Sequence, residues 1–190
     1  MASSDEPVDL ELVRRAQSGD RAAFESLFAT RRERLARYLV VMTGDDAIAD
    51  DVAQDALRSG FEKIGQLQDP ARFASWLLAI AVNRCRNFLR DEVRRTHEGD
   101  AALCSVPDRS RSALSSIVRR ESAAQLALAI DRLPIVMREA FVLFHVEGLS
   151  YAEMSELCEA SPNTLQVRVH RSKALLRQQL GKVVDTWLAR

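Results

Sequence analysis

Trp76, Asn83, Arg86, Asn87, Arg90 and Arg94 recur at intervals that a helix would gather on one side. At about 3.6 residues per turn, positions 83, 86, 87, 90 and 94 stand at i, i+3, i+4, i+7 and i+11, with Trp76 seven residues before the first. Amides, guanidinium groups and one large aromatic are the side chains that hold phosphates, hydrogen-bond base edges and stack on bases. A solvated basic face is the simpler reading for such a helix in isolation; the rest of the chain weighs against it. A second set, Asn163, Gln166, Val167, Arg168, His170, Arg171 and Lys173, begins just before and continues into a run from Gln166 to Lys182 with five bases and no acid. The reverse holds from Asp45 to Asp55, where five acids stand without a base. Lys plus Arg and Asp plus Glu are 27 each, so net charge points to no partner. The segregation does, and implies two surfaces for two different partners.

Enzyme chemistry finds little support. The chain has no Ser/His/Asp set, no H-E-x-x-H, no Gly-rich phosphate loop and no paired cysteine ligands. His97 and His145 have no metal-ligand spacing around them, so neither metal nor cofactor is expected. Cys85, Cys104 and Cys158 are odd in number and far apart, which reads as reduced thiols in a cytoplasmic protein. Their spacing leaves any redox role open. The first residues, MASSDEPVDLELV, lack the basic-then-apolar order of a signal peptide. No apolar run approaches membrane-spanning length, and no membrane insertion is expected.

The elements that must position these residues read as helices. Seven Gly and five Pro in 190 residues are few for a many-turned β protein, and the apolar residues repeat at three and four. A first helix is predicted over Val8–Gln17, and Asp20 caps a second that carries Phe24, Leu27, Phe28, Leu35, Tyr38, Leu39 and Met42. Thr43 to Asp46 ends it. A third runs from about Ala47 to Ile64, with Val52, Ala53, Leu57, Phe61 and Ile64 inward and Asp50, Asp51, Gln54, Asp55, Arg58 and Glu62 outward. After a loop over Gly65–Pro70 comes the helix of the opening set, Phe73–Arg95, with Phe73, Leu77, Ile80, Ala81 and Phe88 on its apolar stripe. Four such helices make a small bundle. Thr96 to about Ala113 lacks periodicity and reads as a flexible linker.

Beyond it, a helix with Ala123, Leu126, Ile130 and Leu133 ends at Pro134. Another carries Met137, Ala140, Phe141 and Phe144 and closes at Gly148. Ser150-Tyr151-Ala152-Glu153 is a capping box that opens a short helix, Tyr151 to Cys158. Ser161-Pro162 then starts a long last helix, with Leu165, Val169, Ser172 and Leu176 inward and the basic and amide set outward, Arg177 included. A short helix, tight turn and longer basic helix are the pattern of a helix-turn-helix, which any αα-hairpin with a basic face also produces.

Taken together, the two halves resemble the bacterial RNA polymerase sigma factors of the extracytoplasmic-function group. The segment A-D-D-V-A-Q-D-A-L (49–57), followed by F-A-S-W-L-L-A-I-A-V-N-R-C-R-N-F-L-R (73–90), resembles sigma region 2. The segment from Leu133 to Leu157, followed by N-T-L-Q-V-R-V-H-R-S-K-A-L-L (163–176), resembles region 4. The resemblance implies an all-α chain: a four-helix region 2 over 1–95, a linker over 96–117 and a region 4 helix-turn-helix over 118–190. It implies a non-enzymatic factor that binds core RNA polymerase through the β′ clamp helices and the β subunit and directs it to promoters. Asp50, Asp51, Gln54 and Asp55 would dock on the clamp helices. Asn83 would read a base flipped out of the −10 element, bordered by Trp76 and the loop from Leu67 to Arg72, with Arg86, Asn87, Arg90 and Arg94 along the same strand.

The last helix would enter the major groove at the −35 element through Asn163, Gln166, Val167, Arg168, His170, Arg171 and Lys173. Here the family's G-T-V-(K/R)-S-R becomes Asn163-Thr164-Leu165-Gln166-Val167-Arg168. Gln favours adenine, and an apolar side chain fits a thymine methyl, so an unusual −35 preference or weaker phosphate anchoring is expected. An anti-sigma partner is also implied. The alternative is a helix-turn-helix regulator with a helical N-terminal interaction domain, which accounts for the last helix but not for the acidic and Asn/Trp patterns before it.

Overall fold

The computed structural model describes residues 8–98 and 125–181. The chain divides into an N-terminal unit holding residues 2–105 and a C-terminal unit holding residues 106–190. Among the described residues both are built of helices without strands.

In the N-terminal unit α1 spans Leu10–Gln17, α2 Arg21–Thr43, α3 Asp46–Lys63 and α4 Phe73–Glu98. The helix starts are set by short acceptors on free backbone donors. Asp9 accepts from the Glu11 and Leu12 amides, so α1 begins two residues after the expected Val8. Asp20 caps α2 by accepting from the Ala23 amide at 3.0 Å, and the same carboxylate holds Arg15 at 2.6 Å. Gly44 ends α2 in the left-handed conformation at φ 71, which leaves Asp45 placed to cap α3 through the Ile48 amide at 3.0 Å.

The core of this unit is Phe24, Tyr38, Leu39, Met42, Phe73 and Leu77, all under 2% exposed. Phe24 sits at its centre, edge-on to Phe73 at 6.1 Å and to Phe61 at 5.7 Å. Helix α3 meets this core with small residues, Ala49, Val52, Ala56, Ser59 and Gly60. A Cβ added at Gly60 would lie 2.8 Å from Phe24 Cζ, so the glycine is what lets α3 come this close to the Phe24 ring. Ala53, Leu57 and Phe61, expected inward, are only half-buried; the face that packs is rotated toward the smaller side chains.

Helix α4 differs from expectation in the same sense. Phe73, Leu77 and Ala81 are buried, but their companions are Leu78, Val82 and Cys85, while Ile80 and Phe88 are half-buried. The helix also runs three residues past Arg95, to Glu98. Between α3 and α4 the expected loop holds two 3-10 turns, Ile64–Gln66 and Pro70–Arg72. The linker expected beyond residue 98 and Ala123 lie outside the described residues.

In the C-terminal unit α5 covers residues 125–131, α6 Ile135–His145, α7 Tyr151–Leu157 and α8 Pro162–Leu180. Arg138 of α6 is buried and pairs with the Asp131 carboxylate at 3.0 Å, and also donates to the Asp131 carbonyl. That tie closes the α5–α6 corner at Pro134. Leu143, Met154, Leu165 and Leu176 fill the core without exposure. Met137 and Phe144, expected on the apolar stripe of α6, are half-buried, and Phe144 stacks on Tyr151 of α7 at 4.8 Å.

Candidate functional site

Three faces carry the residues singled out by the sequence. On α3, Asp50, Asp51, Gln54 and Asp55 are all exposed along one side. Gln54 donates to Asp50 at 3.1 Å, and Arg32 of α2 stands 3.9 Å from the other oxygen of Asp50. Asp55 has Arg58 at 3.5 Å, one turn on. Asp51 has no such cation beside it among the described residues. The face is therefore acidic but locally balanced at two of its three carboxylates. Such exposed pairs contribute under about 1 kcal/mol each and are easily exchanged for a partner's guanidinium. Beside this face an open groove between α2 and α3 leaves Leu57 and Phe61 half-exposed, over a floor that includes the buried Phe24 and Phe28. The half-burial of Leu57 and Phe61 follows from it.

On α4, Asn83, Asn87, Arg90 and Arg94 are exposed and Trp76 and Arg86 half-buried. Arg86 donates to the Asn83 amide oxygen at 3.3 Å, and Arg90 to that of Asn87 at 2.6 Å. Both asparagines thus have their oxygen occupied and their N–H2 group outward, a donor available to a base edge. Trp76 packs one ring face toward Phe73, with centroids 6.0 Å apart and planes tilted by 37°. It is anchored on the core through Phe73 and is still half-exposed. A residue missed from sequence also links this helix to its neighbour. Arg84 donates to the buried Ser59 hydroxyl of α3 at 2.6 Å, which ties the helix with the amide row to the helix with the acidic row.

The turn between α3 and α4 comes under α1. Gln17 Nε2 donates to the carbonyls of Leu67 at 2.7 Å and Ile64 at 3.3 Å. Nothing local in the sequence announces a bond across this separation.

On the C-terminal unit the helix-turn-helix is formed as expected. The Ser150 hydroxyl accepts from the Glu153 amide while Glu153 accepts from the Ser150 amide at 2.8 Å. Ser161 caps α8 through the Thr164 amide at 3.2 Å, and the turn between them is held by Ser155 donating to the Ala160 carbonyl at 2.9 Å. Leu165, Val169, Ser172 and Leu176 are all buried. That leaves Asn163, Gln166, Val167, His170 and Arg171 exposed, with Arg168 and Lys173 half-buried. Val167 is 49% exposed, high for a valine. It lies in a shallow groove with Val136 and Met137 of α6, residues not expected at this face.

Lys173, expected outward, is half-buried, and its ammonium acts on His145, a residue with no expected role. His145 packs between the rings of Phe141 and Phe144, each 4.9 Å away, and its Nε2 is buried without a partner among the described residues. Burial, with a smaller contribution from the Lys173 ammonium, lowers its pKa to about 4, so this imidazole is neutral at physiological pH.

Cys85 and Cys158 are buried free thiols, and Cys104 lies outside the described residues. No group of three or more His, Cys, Asp or Glu among the described residues could hold a metal ion. No helix among them is long and apolar enough to cross a membrane.

The chain matches the models of two families, sigma-70 region 2 over residues 27–95 and sigma-70 region 4 over residues 123–176. It is 32% identical over 176 residues to the RNA polymerase sigma factor CarQ of Myxococcus xanthus, covering 90% of this chain and 97% of that protein. It is 29% identical to the RNA polymerase sigma-H factor of Pseudomonas aeruginosa, covering 90% of this chain and 93% of the other. With the ECF RNA polymerase sigma-E factor of Escherichia coli it shares 27% identity over 95% of this chain and 98% of that one. Among solved structures, CnrH in complex with the cytosolic domain of CnrY is similar, with a TM-score of 0.66 and 25% identity over 91% of this chain and 97% of that one. The fold is also that of the sigma factor RpoE bound to the anti-sigma factor NepR from Bartonella quintana, with a TM-score of 0.69 and 20% identity over 83% of this chain and 96% of that one. The two regions, their order and the relatives that span almost the full length agree: the chain belongs to the extracytoplasmic-function group of the sigma-70 family, transcription initiation factors rather than enzymes.

Proposed function

We propose that the chain binds core RNA polymerase through the acidic face of α3, reads the −35 element as duplex with α8, and traps a −10 base with Asn83. The observation that supports this best is the division of labour within one small unit. A carboxylate row on α3 and an amide–guanidinium row on α4 stand on packed neighbouring helices that the Arg84–Ser59 bond also links. Acids suit a partner rich in arginine. Outward amide donors beside a half-exposed tryptophan suit a single strand. Extruding a base costs a few kcal/mol, and stacking of about 1–3 kcal/mol with edge hydrogen bonds is the right scale to hold it out. Arg86, Asn87, Arg90 and Arg94 continue along the helix as contacts for the strand's phosphates.

On α8, Gln166 and Val167 set the −35 preference and Asn163, Arg168, His170, Arg171 and Lys173 supply further contacts. The division into region 2 over 1–95, a linker over 96–117 and region 4 over 118–190 belongs to the same reading. So do a cytoplasmic location and control by an anti-sigma partner. The solved relatives bound to NepR and CnrY support that last element, since those proteins are held in such complexes.

The test is transcription in vitro with core polymerase on duplex and pre-melted templates. Asn83→Ala is expected to bind core polymerase as well as the parent chain and to give fewer open complexes on duplex promoters, with the deficit reduced on a template already melted at −10. An unchanged open-complex yield on duplex DNA refutes the role of Asn83. Failure of the parent chain to initiate from any template refutes the whole reading.

A further inference from the structure

The turn that leads into α4 is held from below by a residue outside the matched region 2, which begins at residue 27. Gln17, the last residue of α1, is half-buried, and its one amide nitrogen serves both the Ile64 and the Leu67 carbonyl. Those carbonyls bracket the first 3-10 turn, which is closed by the Leu67 amide on the Ile64 carbonyl at 3.1 Å. Ile64 and Leu67 point inward at 2% and 7% exposure. Gly65, Gln66, Gln68 and Asp69 between and beside them are exposed. Downstream, the Asp69 side chain accepts from the Ala71 amide at 3.0 Å, and Ser75 donates to the Arg72 carbonyl at 3.0 Å. The turn is thus pinned at both ends, and the pin at its start comes from across the sequence.

We infer that Gln17 is a positioning residue that sets the register of the Gln66–Asp69 turn against the extruded −10 base, and so contributes to which base is accepted there. This rests on the reading that the turn borders the base pocket. Chemistry selects glutamine for the task. A carboxylate of the same shape would face two carbonyl oxygens with no donor, and an apolar side chain would take this donor from the Leu67 carbonyl and leave the Ile64 carbonyl with the Leu67 amide alone. A discriminating pocket needs walls fixed to a few tenths of an ångström, because base edges differ only in the placing of donors and acceptors.

The experiment uses the full chain with core polymerase on four promoters that differ only at the flipped −10 base. Gln17→Glu and Gln17→Leu are expected to compress the preference between the best and worst base by about tenfold, from the loss of two side-chain bonds to backbone. Core-polymerase affinity is expected to stay within twofold of the parent chain. Gln17→Lys, which restores a donor, is expected to recover most of the preference. Hydrogen exchange at the amides of the turn checks the cause without transcription and is expected to quicken in the Glu and Leu variants.

If the preference holds in both variants while Asn83→Ala still impairs opening, the site reading survives and the role of Gln17 is refuted. That role is equally refuted if opening falls to the same extent on all four promoters, which is the mark of a merely structural residue. If Asn83→Ala is also without effect, the pocket itself is elsewhere and both fall.

Discussion

Reversing Asp51 to arginine tests the polymerase-docking face most sharply, because of how its neighbours are paired. Asp50 is shared between Gln54 at 3.1 Å and Arg32 at 3.9 Å, and Asp55 lies 3.5 Å from Arg58. In the free chain Asp51 is exposed with no such cation beside it among the described residues, so its charge is the most available of the three. A unit charge pair at 4 Å is worth about 4 kcal/mol at an effective dielectric of about 20. Desolvation removes part of that, and measured couplings for close interfacial pairs run from about 1.5 to 7 kcal/mol. A loss of about 2 kcal/mol for Asp51→Arg is therefore a conservative expectation, or roughly 30-fold in affinity. Asp55 gives up a one-turn pair of about 0.3–0.5 kcal/mol to engage a partner, so adding Asp55→Arg brings the loss to between a hundredfold and a thousandfold. The assay is competition against the labelled parent chain for core polymerase at two salt concentrations. The deficit should be larger at low salt, since exposed charges are screened beyond a Debye length of about 8 Å at physiological ionic strength. Glu62→Arg, at the far end of the same helix, is the control. A double variant that competes within twofold of the parent, or a Glu62→Arg variant that loses as much, refutes docking through this face.

Two further outcomes concern the frame that carries the faces. Gly60→Ala should destabilise the N-terminal unit by up to about 2 kcal/mol, because a Cβ 2.8 Å from Phe24 Cζ overpacks at a cost of about 1–3 kcal/mol and recovers only about 1 from helix propensity; a urea midpoint at or above the parent's refutes the close α2–α3 approach. The C-terminal unit should lose stability as pH falls from 6.5, the ordinary histidine value, to about 4, the value in the fold. Over that window the unfolded chain binds the proton and the folded chain refuses it. The full effect is at most about 3 kcal/mol and is cut by partial solvent screening. His145→Gln should flatten the dependence, and an imidazole that titrates near 6.5 in the folded chain, followed by proton NMR, would contradict the burial argument.

What could be read from sequence was what is decided locally. Asp20, Ser150 and Ser161 cap their helices because a side-chain oxygen finds an amide three residues on, a geometry that needs no tertiary partner. The buried row of α8, Leu165, Val169, Ser172 and Leu176, follows from spacing alone. The inner face of α3 did not. Spacing allows Leu57 and Phe61 to face the core, but Ala56 and Gly60 take the buried positions, Gly60 against Phe24, and the larger side chains are left along the α2–α3 groove. Periodicity finds a stripe, while the partner helix decides which edge of the stripe is buried. Gln17 and the Arg84–Ser59 bond were invisible for a different reason: each joins residues far apart in the chain, and neither residue type is unusual at its own position. His145 had no metal-ligand spacing to announce it, and its environment comes from the two phenylalanines around it and from Lys173 on another helix.

The charge layout also bears on how the two units share the work. With 27 bases against 27 acids, the chain has no net attraction for a polyanion, so duplex affinity has to come from the local cations of α8. Those are Arg168, Arg171, Lys173 and Arg177, and Arg168 and Lys173 are half-buried. If all four met phosphates, the logarithm of affinity would fall with the logarithm of salt at a slope of about −3.6. So few contacts give weak binding at physiological ionic strength, with a shallower salt dependence than a larger set would show. If α8 meets DNA as proposed, Gln166 in place of the family's usual cation removes one further charge from that set. A reader of this kind is useful only when something else holds it near its site. On the proposed reading, the acidic face of the other unit would supply that hold, as an effective concentration gained through a basic protein partner, without adding any affinity for DNA.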